Sequence, residues 1–185
     1  MMDDRTILLQ MIQDAACIKP EPHYEKHKVI LTETQSSESS ESSVEILHVP
    51  TDTLVIRVDC FPPPDGIFNG NLGECKRADF AIISCEKNLI ICIEMKLTKG
   101  DLTEIKQQLR GAECFMKYCQ AIGKTFWNAP QFLDHCEYRF VAIQQTNVSI
   151  PKRPTKITKP ASKHNSPDNP MKIDWPHSLT FKQLA

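Results

Sequence analysis

Apolar positions along the chain follow two periods, and the switches between them mark out the elements. Ile7, Leu8, Met11, Ile12 and Ala15 recur at the spacing of one helical face, with Asp3 or Asp4 placed to cap it and Pro20 and Pro22 to stop it. Residues 53–61, TLVIRVDCF, read as a strand broken by Pro62-Pro63-Pro64-Asp65-Gly66. Two apolar runs follow, ADFAIIS (78–84) and LIICIEMK (89–96). The short connection Cys85-Glu86-Lys87-Asn88 between them predicts a β-hairpin. Beyond Lys99-Gly100, Leu102, Ile105, Leu109, Ala112, Met116 and Cys119 alternate spacings of three and four. They predict a helix capped by Asp101 with Glu104 in the capping-box position, and Gly123 as its stop. YRFVAIQQT (138–146) is a further strand. The order helix, strand, hairpin, helix, strand predicts an α/β layered domain with a mixed sheet.

Polar segments frame this core. TETQSSESSESSVE (32–45) has no aromatic residue and too little apolar surface to offset its ordering entropy, so it reads as a mobile surface loop within a domain spanning residues 1–150. Residues 151–185 form a basic, proline-rich tail whose last apolar elements, around Trp175 and Phe181, are expected to dock on the same domain. Charge is unevenly spread: residues 1–50 carry 4 Lys/Arg against 9 Asp/Glu, and residues 151–185 carry 7 against 2. The basic end suits contact with a polyanion, through Lys152, Arg153, Lys156 and Lys159, or simple solvation, and both readings stay open. No apolar run approaches a membrane span and the N-terminus opens with acids, so a cytoplasmic protein without membrane contact is expected. The eight cysteines lack CxxC spacing, and Cys85 and Cys92 lie inside or beside apolar runs, as reduced structural thiols do.

The chemistry concentrates where LIICIEMK ends. Glu94 and Lys96 are two residues apart and so share a face of the strand. Asp79, near the start of the partner run, joins them if the residue numbers of facing partners add to an odd number; an even sum sends it to the other side. Two converged carboxylates are hard ligands suited to Mg²⁺ or Mn²⁺, and a neighbouring lysine can orient or deprotonate a water. Metal and activated water together hydrolyse phosphodiesters. The bland alternative is a strand-end ion pair, which when exposed contributes only about 0–1 kcal/mol.

Over residues 74–120, ECKRADFAIISCEKNLIICIEMK and DLTEIKQQLRGAECFMKY, the sequence resembles the PD-(D/E)XK nuclease superfamily. The resemblance implies a restriction-endonuclease-like mixed sheet flanked by helices. Asp79 and Glu94 would bind Mg²⁺ together with the Met95 carbonyl, Lys96 would position the attacking water, and Gln108 on the following helix would add a polar group. Tyr118 is the candidate for a glutamine-to-tyrosine pattern, at a longer gap than the usual one. The naming proline is replaced by Ala78, and the acid such enzymes often carry on a first helix has three candidates, Asp14, Glu21 and Glu25. The implied function is metal-dependent cleavage of DNA rather than RNA, in phage defence or DNA repair, with a partner protein choosing the target and a homodimer where both strands are cut. The rival is a non-catalytic nuclease-like module that binds nucleic acid or a partner protein.

Overall fold

The computed structural model describes residues 2–34, 41–97, 100–144, 163–176 and 178–185. In chain order the elements are α1 (Asp4–Met11), β1 (Cys17–Ile18), β2 (Glu21–His23), β3 (Lys26–Thr34), β4 (Glu41–Val49), β5 (Leu54–Arg57), β6 (Phe80–Ser84), β7 (Leu89–Lys96), α2 (Leu102–Phe126), β8 (Glu137–Gln144), β9 (Met171–Asp174), β10 (Ser178–Thr180) and α3 (Phe181–Leu184). They build a mixed α/β fold with two mixed sheets. The inner sheet has the order β1-β5-β6-β7-β8-β9, and the outer one β10-β4-β3-β2. No helix among the described residues is long and apolar enough to cross a membrane.

The inner sheet is buried on both faces, which is why β6 and β7 read as unbroken apolar runs. On one face Ile90 and Cys92 of β7 and Ala81 and Ile83 of β6 pack against Ile7 and Leu8 of α1 and Ile105, Leu109, Ala112 and Met116 of α2. On the other, Ile91, Ile93 and Met95 pack against Val29 and Leu31 of β3 and Val44 and Ile46 of β4. Three layers result: helices, inner sheet, outer sheet.

Both helix starts match their caps. Asp3 accepts from Thr6 N (2.9 Å) and Asp101 from Thr103 N (3.0 Å). Glu104 does not close a capping box; it pairs instead with Lys76 at 2.9 Å. The β6–β7 hairpin turns as expected, with Asn88 at φ +49° and its N–H donating to Cys85 O (3.1 Å).

Several boundaries differ from the sequence reading. α1 ends at Met11, and Ala15 lies in a separate 3-10 turn. The strand expected over 53–61 is shorter, since Val58–Cys60 turns into 3-10 geometry. α2 runs through Gly123 to Phe126, because that glycine serves close packing instead of termination: a Cβ there would meet the Phe132 ring at 2.2 Å. The segment read as a loop over 32–45 is strand at both ends, in β3 and β4, and only residues 35–40 fall outside the described residues. At the C-terminal end β9 pairs in parallel with β8, and β10 in parallel with β4, so this segment belongs to both sheets.

Candidate metal and nucleophile site

The hairpin register decides where the acids go. Phe80 faces Ile93, Ala81 faces Cys92 and Ile82 faces Ile91, an odd-sum register. Asp79, one residue before β6, therefore continues the series Ala81 and Ile83 toward the helical layer. Glu94 and Lys96 continue the series Ile90 and Cys92 toward the same layer. Asp79 is tied in place twice: its carbonyl accepts from Val58 N (2.8 Å), and its Oδ2 accepts from Met95 N (2.7 Å).

Glu94 is 1% exposed, yet neither of its carboxylate oxygens has a directed hydrogen-bond partner. Lys96 is ion-paired with it, Nζ to Oε1 at 2.9 Å, and the Asp79 side chain lies within hydrogen-bonding reach of it, a contact that a proton shared by the two carboxyls would satisfy. Burial pushes the Glu94 carboxyl up to about 9, Asp79 adds to the push, and the Lys96 ammonium opposes it only in part. Burial likewise raises Asp79 to about 6, against the pull of the Met95 N–H and the Lys96 charge. For Lys96 burial acts to lower the value, but the Glu94 charge outweighs it and the ammonium is held on more firmly than usual. An ammonium held this firmly is suited to donating hydrogen bonds and poorly suited to accepting a proton.

A fourth ionisable group enters from the outer sheet. Glu33 of β3 follows Val29 and Leu31 in the series that faces inward, and it comes to rest at the end of β7. The backbone of Leu97 donates to its carboxylate, Asp79 and Lys96 are its charged neighbours, and burial raises it to about 7. Its Oε2 is buried without a partner. The sequence reading missed Glu33 by placing it in the polar loop; the alternation Val29, Leu31, Glu33 was the available signal. Of the three first-helix candidates, Asp14 lies in the 3-10 turn Asp14–Ala16, Glu21 in β2 and Glu25 in the β2–β3 turn. None of them appears among the charged neighbours of Asp79 or Glu94.

On α2, Gln108 is partly buried, and its Oε1 lies buried without a partner. It stands one turn after Glu104, which itself senses the Lys96 charge. Tyr118 is 55% exposed beside Phe61, about 15 Å farther along the helix axis than Gln108. It does not join the acids. Lys152, Arg153, Lys156 and Lys159 lie outside the described residues.

Can these residues hold a divalent ion? The donors are all hard oxygens, and the buried, unpartnered carboxylate and amide oxygens among the described residues belong to Glu33, Glu94 and Gln108. Such orphaned acceptors call for an ion or a water. No group of three or more His, Cys, Asp or Glu side chains is arranged to hold an ion directly among the described residues. Two carboxylates with waters completing the shell is nonetheless the usual protein share for Mg²⁺. The donor set fits.

No protein-family model, curated protein or solved structure matches this chain.

Proposed function

We propose that the protein is a Mg²⁺- or Mn²⁺-dependent nuclease of the PD-(D/E)XK kind, with a restriction-endonuclease-like core, that hydrolyses phosphodiester bonds of DNA. The observation that carries this reading is Glu94. A strand-end ion pair kept for stability would sit in solvent, whereas Glu94 is taken fully out of water beside a second carboxylate, with the Lys96 ammonium on Oε1 as its ion pair and no well-directed hydrogen bond to either oxygen. Ionising a carboxyl at this depth costs several kcal/mol, and the Lys96 ammonium offsets only part of it. A cation held between Asp79 and Glu94 would offset the rest. With β1–β4 inserted between α1 and β5, the remaining order α1, β5, β6, β7, α2, β8, in which β7 and β8 are parallel, supports the fold assignment.

The divalent ion, when bound, supplies Lewis acidity toward the phosphate and a more acidic water. Asp79 and Glu94 would hold it, with the Met95 carbonyl as the third protein ligand that the resemblance implies. The Met95 N–H fixes one oxygen of Asp79 and thereby aims the other. Lys96, kept protonated by Glu94, orients the water and offsets charge that develops on the phosphate. Gln108 offers a further acceptor from α2.

The deciding experiment incubates the full chain with supercoiled plasmid and with labelled single-stranded DNA, in Mg²⁺, Mn²⁺ or EDTA, beside Lys96→Ala. Metal-dependent cutting that the variant lacks is the expected result. No cutting, together with no effect of metal on melting, would leave the non-catalytic module as the better reading.

A further inference from the structure

Glu33 breaks the apolar stripe on the inward face of β3. Val29 and Leu31 precede it on the inward face of β3, and both are fully buried. An apolar residue at position 33 would extend that stripe and lengthen the contact between the two sheets. Instead the outer sheet delivers a carboxylate to the end of β7, where the Leu97 backbone satisfies part of it and Oε2 is left buried without a partner. Asp79 repels it, Lys96 attracts it, and it acts in turn on Glu94.

Acids outnumber bases around the end of β7: Asp79 acts on both Glu33 and Glu94, Asp59 acts on Asp79, and Lys96 is the ammonium that acts on all three of Glu33, Asp79 and Glu94. A second observation points the same way from a different element: Glu94 is 1% exposed, and beyond the Lys96 ion pair on Oε1 neither of its oxygens receives a well-directed hydrogen bond. Because no three acids are arranged around one point among the described residues, the third carboxylate is not placed for direct ligation. Small divalent ions keep several waters, and each of those waters donates hydrogen bonds outward to an acceptor.

We propose that Glu33 is a positioning residue for a divalent cation held by Asp79 and Glu94, accepting a hydrogen bond from a metal-bound water and reaching the site from the outer sheet. The inference rests on the metal-dependent reading above. It takes the place that an acid on the first helix was expected to fill, with a residue from β3.

The test is Mn²⁺ binding to the full chain, followed by calorimetry or by the free-ion signal in electron paramagnetic resonance, for the wild type, Glu33→Gln and Glu104→Gln. Outer-shell partners of a metal are worth roughly 10- to 100-fold in affinity, and a loss of that size is expected for Glu33→Gln. Glu104→Gln, which removes a neighbouring acid already paired with Lys76, should leave affinity unchanged. Gln can still accept from Leu97, so the melting temperature of metal-free Glu33→Gln should equal or exceed that of the wild type, which separates weakened binding from misfolding. Wild-type binding with unchanged affinity in Glu33→Gln would overturn the role of Glu33 alone. Absence of Mn²⁺ binding in the wild type would overturn the metal reading and this inference with it.

Discussion

Asp79 Oδ2 accepts a 2.7 Å hydrogen bond from the backbone N–H of Met95, the residue between Glu94 and Lys96. One carboxylate oxygen is therefore spent on holding the hairpin end together, and alanine and asparagine at this position have different consequences. Asp79→Ala leaves a buried N–H without an acceptor, which costs about 1–3 kcal/mol, and should lower the melting temperature as well as abolish cleavage. Asp79→Asn keeps an acceptor for Met95 and should melt close to the wild type while losing both cleavage and its melting response to Mn²⁺. Thermal melts with and without metal separate the two effects.

Glu94 gives the metal-free protein a defined pH dependence. Its folded value near 9 lies above the ordinary 4.5, so between those limits the folded state keeps a proton that the unfolded state releases. Stability from this group is present at low pH and is lost as pH rises through that window. Glu33 and Asp79 shift in the same direction. The metal-free melting temperature should fall between pH 6 and 8.5, and Glu94→Gln should reduce the fall. Because a bound ion displaces the proton, the Mn²⁺-induced rise should be larger at pH 8.5 than at pH 6.

Lys96→Ala should separate binding from chemistry. The variant retains Asp79 and Glu94, so Mn²⁺ should still raise its melting temperature. Cleavage should fall by at least about 100-fold, the usual scale for a residue that manages the attacking water. Equal cleavage by variant and wild type in a gel assay would remove Lys96 from the mechanism.

Gly111 links α2 to the approach of Asp79. A Cβ there would lie 1.8 Å from the Lys76 carbonyl oxygen, a backbone atom, so the Lys76-Arg77 segment would have to shift. Gly111→Ala should cost at least about 1–3 kcal/mol by overpacking, read from urea denaturation. It should also weaken Mn²⁺ binding, because the displaced Lys76-Arg77 segment leads directly into Ala78 and Asp79.

The hairpin trio was legible in the sequence because β6 and β7 are buried on both faces. Continuous apolar runs made their ends easy to see, and period two placed Glu94 beside Lys96. Glu33 was not legible in the same way. The β3–β4 hairpin has one buried face, and its far half is so rich in Ser and Glu that composition masked the alternation of Val29, Leu31 and Glu33. The whole outer sheet was lost with it. Gly123 shows a different limit: sequence offers the glycine but not the Phe132 ring that needs it.

The parallel pairings of β9 with β8 and of β10 with β4 also constrain the order in which the molecule assembles. The β6–β7 hairpin closes a short loop and can form early, bringing Asp79, Glu94 and Lys96 together by itself. The β3–β4 pair is also local, but its parallel neighbour comes from the far end of the sequence, and long-range parallel pairing is slow because chain entropy is lost before contacts repay it. A refolding chain should therefore acquire its three hairpin charges first and seat the outer sheet, with Glu33, last. Metal affinity would then appear in two kinetic phases, a weak early one and a tighter one that follows docking of the C-terminal strands.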